Sequence, residues 1–240
     1  MKNLPEKRVA IVTGADRGIG HAICTHLLNK DINTVLISNN SSGLQDVQID
    51  SKKQLTVAID VRDSKAIDKS IQMVMEKFGR IDYLINVAGV AYYGGVEMCT
   101  EDQWDETMGV NVKGYFLMTK AVFPHMKKQK SGMIINMSSI WGTRGSPTML
   151  AYSASKFAVE GLTKSLLEEG RSHGIKVASV ILDKVDTPFR DEMCEYVNFD
   201  DEQKIRMLSA NDVADTVGWM METSNRSLPS SITLDAFLWK

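Results

Sequence analysis

Tyr152 and Lys156 stand four residues apart in the run Tyr152-Ser153-Ala154-Ser155-Lys156, at the opening of a helical pattern. Residues i and i+4 share a helix face, so a phenol and an ammonium so placed can point into one cleft. A cation beside a tyrosine favours the phenolate and draws its pKa from about 10 toward neutrality, as a general acid/base requires. Ser139 closes an apolar run upstream, where its side chain could meet the other two at one edge of a sheet and hold a carbonyl oxygen. A surface tyrosine and lysine with a loop serine is the plainer reading of either motif taken alone.

A second group of residues precedes them. TGADRGIG (13–20) lies between a β-branched run and an amphipathic helical pattern. Gly14, Gly18 and Gly20 allow a tight turn and let backbone N–H groups and a helix N-terminus approach a pyrophosphate. An acid that reads the ribose hydroxyls of NAD belongs ~20 residues further on, at the end of the second strand. Ser38-Asn39-Asn40 fills that place, with no acid. Arg17 in the loop could pair with a 2'-phosphate, which favours NADP with NAD as the alternative, or it is simply a solvated charge. Asp60 after the third strand either accepts from an adenine amino group or opens the next loop. In Asn86-Val87-Ala88-Gly89 the small residues let backbone come close to a ribose, and Asn86 can hydrogen-bond across neighbouring strands.

Positioning these groups requires strands alternating with helices. Strands are expected near Arg8–Val12, Thr34–Ser38, Leu55–Ala58, Tyr83–Asn86, Met133–Met137, Lys176–Ile181 and Ile232–Leu234. Helices are expected over Gly18–Asn29, Ser64–Phe78, Asp102–Lys128, Tyr152–Ser172 and Asn211–Met221, with Ser64 and Asp212 near N-caps and Gly79 and Gly174 as stops. Such alternation predicts an α/β fold, a parallel sheet with helices on both faces. Asn39–Lys53 is too polar and short for a full crossover helix and should reduce to a turn or two. Neither an internal repeat nor a Pro/Gly-rich linker interrupts the 240 residues, so 1–240 reads as a single domain. Pro188–Arg206 follows the sixth strand as a lid over a cleft or a peripheral helix.

Composition narrows the partners. The formal net charge is -2, with no basic field to attract nucleic acid or an anionic membrane. No run of ~18 apolar residues and no secretory h-region is visible, which points to a soluble cytoplasmic protein. Cys24, Cys99 and Cys194 include no CxxC, and His21, His26, His125 and His173 make no HxxxH, so neither a disulfide framework nor a metal site is expected.

Taken together, TGADRGIG, Asp60-Val61, NVAG (86–89), Asn111 in GVNVKG, INMSS ending at Ser139, and YSASK resemble the short-chain dehydrogenase/reductase family over nearly the whole chain, including its 3-oxoacyl-[acyl-carrier-protein] reductases. The resemblance implies a single-domain Rossmann fold with a doubly wound, seven-stranded sheet. It implies Tyr152 as proton donor or acceptor, Lys156 on the nicotinamide ribose and tuning Tyr152, Ser139 polarising the substrate oxygen, and Asn111 supporting a water-mediated relay to Lys156. The cofactor would lie against Gly14, Asp16, Arg17, Gly18, Ile19, Gly20, Ser38, Asn39, Asp60, Val61, Asn86, Ala88, Gly89, Tyr152, Lys156, Val185 and Thr187. No metal is needed. Family members often form tetramers through their two long helices, so a homo-oligomer, tetramer or dimer, is expected.

Three departures stand out, the mildest being Val87 in place of the family's second Asn of NNAG. Leu182-Asp183 replaces the family's usual Pro-Gly, which raises the questions of a φ > 0 conformation and of a negative charge near the nicotinamide unless Lys184 compensates. SSITLDAFLWK (230–240) lacks the Gly-Gly of many relatives. The expected activity is NADP(H)-dependent exchange between a ketone and a secondary alcohol. One subclass takes carrier-linked 3-oxoacyl groups, docked on Lys127, Lys128 and Lys130 with Arg171, unless these are a solvated surface run. The competing class is a cofactor-binding regulatory or scaffold protein with little turnover. An apolar substrate pocket is expected from Trp141, Tyr92, Tyr93, Met149, Phe189 and Met193.

Overall fold

The computed structural model describes residues 7–47, 52–191 and 199–239. Chain order runs β1 (Val9–Thr13), α1 (Gly18–Asn29), β2 (Asn33–Ser38), β3 (Gln54–Ala58), α2 (Ser64–Phe78), β4 (Tyr83–Asn86), α3 (Glu101–Met108), α4 (Tyr115–Gln129), β5 (Gly132–Ser139), α5 (Leu150–Arg171), β6 (Ile175–Leu182), the short α6 (Pro188–Asp191) and α7 (Asp201–Ile205), α8 (Ala210–Glu222) and β7 (Ser231–Leu234). The seven strands form one sheet in the order β3-β2-β1-β4-β5-β6-β7, and all pairs are parallel. After β1 the chain builds outward to β3, then crosses back to lay β4 on the other side of β1. That reversal opens a crevice at the C-terminal ends of β1 and β4, where open α/β sheets bind ligands.

Period-two alternation divides the apolar residues between two faces. Val12, Leu36, Ile135 and Val180 pack with Ile23 and Leu27 of α1 and Val213 and Val217 of α8. Ile11, Val35, Leu84 and Val177 pack with Ile71 of α2, Met118 and Val122 of α4 and Leu167 of α5. Both faces are covered, which is why the strands read as near-continuous apolar runs.

Several boundaries differ from the sequence expectation for identifiable reasons. The single helix expected over Asp102–Lys128 is interrupted by a π-helical turn, Gly109–Gly114. Asn111 at its centre is held by distant partners, and a Cβ on Gly114 would lie 2.8 Å from Val61 Cγ2, so the backbone passes close to the strand-end loop. The caps are Asp63, accepting from Lys65 N and Ala66 N, and Ser209, with Asp212 as its capping-box partner three residues on. The short crossover after β2 holds a 3₁₀ turn, Gly43–Val47. Asp183 needs no left-handed backbone: among the described non-glycine residues only Asp31 and Lys130 have positive φ. Its N–H instead donates to Leu234 O at 3.0 Å, continuing the sheet edge.

Gly79 and Gly174 do stop their helices with φ of 75° and 70°. A Cβ on Gly174 would also sit 2.5 Å from Lys130 O. Gly174→Ala is therefore expected to lower the unfolding free energy by roughly 2 to 3 kcal/mol in urea denaturation. An unchanged midpoint would show that the turn rearranges without cost.

Candidate active site

The glycine-rich turn is built by close backbone approach. Gly14 and Gly18 have φ of 64° and 53°, and a Cβ on Gly20 would lie 2.0 Å from Gly14 O. Arg17 caps α1 with extended backbone and no side-chain cap bond, which leaves the first N–H groups of the helix directed at the crevice. Thr13 Oγ1 accepts from Val87 N at 3.0 Å and Ala88 N at 3.2 Å, fastening the 86–89 segment beside the turn. Asn86 is fully buried beneath them, donating to Asn136 Oδ1 at 2.9 Å. Asn136 in turn donates to Thr163 Oγ1 at 2.9 Å, so the expected cross-strand link reaches α5.

At the far end of the same cavity, β2 presents Ser38, Asn39 and Asn40, and the loop after β3 presents Asp60 and Val61. Asp60 is gripped by Arg62, whose Nη2 donates to Oδ2 at 2.6 Å and whose backbone N–H donates to Oδ1 at 2.8 Å. That guanidinium holds the Asp60 carboxyl below its ordinary pKa. Glu106 lies 3.8 Å from the other arm of Arg62 and accepts a short hydrogen bond from Tyr92 OH. Tyr92 is not among the residues that line the cavity, whereas Tyr93, Trp141, Met149 and Phe189 are. Met193 and Cys194 lie outside the described residues. The sequence reading missed Arg62 and Glu106; Arg62 was visible only as a cation two residues past Asp60.

Ser139 ends β5 in register with Leu182 of β6, and its Oγ accepts from Trp141 N at 3.2 Å. Tyr152 and Lys156 face it from the start of α5, and all three line one cavity of about 680 Å3 that runs back to Gly14–Gly20. Lys156 Nζ donates to Met137 O at 2.9 Å. It lies 5.5 Å from the centre of the Tyr152 ring and 5.4 Å from that of Tyr115. Burial lowers the Lys156 pKa to about 8, a shift Glu160 one turn along the helix partly opposes. Tyr115, also missed, donates to Met137 O at 3.3 Å, and burial raises its own pKa. Its signal was its place four residues after Asn111, on one helix face.

Asn111 is brought near this group but spends its side chain on structure. Its Oδ1 accepts from Val90 N at 2.9 Å, and its Nδ2 donates to Val90 O at 2.9 Å and Ser155 Oγ at 3.0 Å. Ser155 Oγ donates to Tyr152 O at 2.7 Å, so Asn111 anchors the turn of α5 that carries Tyr152. Thr187 packs against Gly18, where a Cβ would come 3.3 Å from its Cβ, and Val185 lines the cavity beside it. Asp183 pairs with Lys184 at 3.3 Å, and Lys184 Nζ lies 4.6 Å from the Trp239 ring centre. The compensation that the sequence left open is present.

Lys127, Lys128 and Lys130 stand at the end of α4, just before β5 begins. Ser139 is a strand's length away, ~25 Å at ~3.3 Å per residue. Within one copy these lysines, with Arg171 at the end of α5, therefore lie at the opposite end of the sheet from Ser139.

A fold of this order, with a glycine-rich turn and a Ser-Tyr-Lys group sharing one crevice, defines an α/β nicotinamide oxidoreductase, and comparison with known proteins identifies the family. The family model "short chain dehydrogenase" matches residues 8–197, and the chain belongs to that family of oxidoreductases. It is 32% identical over 231 residues to an uncharacterized oxidoreductase of Staphylococcus epidermidis, covering 95% of this chain and 97% of that one. It is 34% identical over 195 residues to the 3-oxoacyl-[acyl-carrier-protein] reductase of Thermotoga maritima, covering 79% of each. Among solved structures, ElxO with NADP bound superposes with a TM-score of 0.87 at 25% identity over 97% of this chain and 98% of that one. The aldohexose dehydrogenase of Thermoplasma acidophilum gives 0.85 at 26% identity over 97% and 94%. Among the described residues no helix is long and apolar enough to cross a membrane.

Proposed function

We propose that this protein interconverts a ketone and a secondary alcohol with NADP(H), using Tyr152 as general acid/base. The observation that carries the reading is the convergence of Ser139, Tyr152 and Lys156 on the cavity that begins at the glycine-rich turn. The cradle suits a dinucleotide: a Cβ on Gly14 would strike the Ala88 backbone, one on Gly18 would press on Thr187, and one on Gly20 would strike Gly14 O, so the turn stays bare of side chains at these three positions. When bound, the nicotinamide supplies or accepts the hydride.

The chain's own residues do the rest. In reduction, Ser139 Oγ donates to the substrate carbonyl oxygen and fixes its orientation, and Tyr152 delivers the proton as charge develops on that oxygen. The Lys156 ammonium, close to the Tyr152 ring, favours the phenolate and makes the proton easier to release, and it would hold the cofactor's nicotinamide ribose. Asn111 holds Val90 and Ser155 in place on either side. Ala88, Gly89, Val185 and Thr187 would hold the nicotinamide half of the cofactor, and Gly14, Asp16, Arg17, Ile19, Ser38, Asn39, Asp60 and Val61 the other half. Arg17 beside a β2 end without an acid favours the 2'-phosphate of NADP, and ElxO carries NADP in a similar fold. Tyr93, Trp141, Met149 and Phe189 suit an apolar ketone. The Thermotoga relative's name supports a carrier-linked 3-oxoacyl group as a subclass.

The working unit in this reading is one cytoplasmic domain spanning 1–240, with 188–206 as substrate lid, of which residues 192–198 lie outside the described ones. Phe189 and Phe199 supply its described cavity-facing residues. Copies assemble as tetramers or dimers through α4 and α5, where Phe116 and Phe157 stand exposed. A regulatory role without turnover had Leu182-Asp183 as its motive, and the Asp183–Lys184 pair weakens that motive. The test is titration with NADPH and NADH, followed by absorbance at 340 nm across ketones, diketones and 3-oxoacyl thioesters. NADPH-dependent turnover is expected; tight binding with no turnover in either direction would favour the regulatory role.

A further inference from the structure

The carboxylate missing from the end of β2 is supplied from elsewhere. Asp16, in the middle of the glycine-rich turn, accepts from Ser38 Oγ at 2.7 Å through Oδ1. Its Oδ2 accepts from Asn40 Nδ2 at 3.2 Å. Ser38 Oγ accepts in turn from Asn40 N at 3.1 Å, and Asn40 Oδ1 accepts from Ser42 Oγ at 2.8 Å and Gly43 N at 3.3 Å. Gly43 closes the group: a Cβ there would lie 3.0 Å from Asp16 Cβ and 2.9 Å from Asn40 Nδ2. A half-buried carboxylate is thus held in one orientation at the end of β2. Asp16, Arg17, Ser38, Asn39 and Asn40 all line the cavity there.

A fixed carboxylate at this place meets the two cofactors differently. The 2'-hydroxyl of an NAD(H) ribose can donate to it, whereas the 2'-phosphate of NADP(H) brings up to two negative charges toward it. At separations of ~4 to 6 Å near a protein surface such repulsion outweighs a single hydrogen bond. Arg17, one residue away, acts in the opposite sense. We infer that Asp16 is a specificity-determining residue that opposes Arg17, weakening the binding of NADP(H) and allowing NAD(H) to serve. The inference rests on the cofactor site proposed above and concerns how that site divides its preference.

Dissociation constants for NADPH and NADH, measured by nucleotide fluorescence on the wild type, Asp16→Asn and Asp16→Ser, test it. Asparagine keeps the acceptor for Ser38 and removes the charge; serine removes charge and bulk together, so a packing defect in one variant is exposed by the other. The NADPH constant should fall at least about tenfold in both, with NADH unchanged or weaker, and the gain should shrink as salt is raised. A ratio of the two constants that moves less than about threefold, or moves toward NADH, overturns the inference. A wild type that prefers NADH but shifts toward NADPH on losing Asp16 upholds it while overturning the NADP preference proposed from Arg17. A wild type that binds neither nucleotide overturns both.

Discussion

Tyr152→Phe is expected to lower kcat by roughly 10²- to 10⁴-fold while the dissociation constant for NADPH stays within about threefold of the wild type. The substitution removes one hydroxyl and leaves the ring. The ring still stands 6.1 Å from Phe189, and α5 is still anchored by Ser155 and Asn111. The carbonyl oxygen loses its proton donor while the ring that lines the cavity stays in place, so the loss falls chiefly in kcat. Stopped-flow absorbance at 340 nm under saturating cofactor separates the two. A variant that keeps more than about a tenth of the wild-type kcat would assign the proton to another group.

Lys156→Met should abolish turnover, by 10³-fold or more on the order expected when a charge that tunes an acid/base is removed, and should make the cofactor-free protein more stable. Lys156 is 4% exposed, and burial brings its pKa down from 10.5 to about 8. A lowered lysine pKa means that the unfolded chain binds this proton more tightly than the folded one. The resulting destabilisation is complete below pH 8, fades as pH rises from about 8 to 10.5, and amounts to about 3 kcal/mol at neutral pH. Methionine removes that cost and forfeits the hydrogen bond to Met137 O, an acceptor that Tyr115 also serves. A net gain of roughly 2 kcal/mol corresponds to a Tm about 4 to 8 °C higher at pH 7 for a chain of this size. The gain over wild type should shrink at pH 9.5. Equal melting temperatures at pH 7, or a difference indifferent to pH, would show that the ammonium is better solvated than its burial implies. Retaining a destabilising cation in the floor of the cavity makes physical sense when its charge is needed for function.

The same division between local and distant causes explains what could be read from the sequence. α1, α2 and β4 have the boundaries expected, because glycine stops and strong periodicity are local signals. The polar crossover after β2 was legible as a turn for the same reason. The π-helical turn was not, since its cause is Asn111 bonding to Val90 and Ser155, 21 and 44 residues away. Asp16 was placed at the cofactor by resemblance, yet its contact with Ser38, 22 residues on, depends on β1 and β2 lying side by side. Asp183 raised two difficulties in the sequence that three-dimensional neighbours remove: Leu234 takes its N–H, and Lys184 takes its charge. That the basic run 127–130 lies at the far end of the sheet from Ser139 within one copy was likewise set by the strand order and not by any local signal.

The most direct measurement of the central claim is isotope transfer. NADPH deuterated at both C4 positions is incubated with the wild-type protein and the carbonyl panel, and the products are analysed by mass spectrometry. One deuterium on the new carbinol carbon is the result expected, at a rate that falls with Tyr152→Phe. Alcohol formed without deuterium, or no reduction of any carbonyl at saturating cofactor, would contradict it.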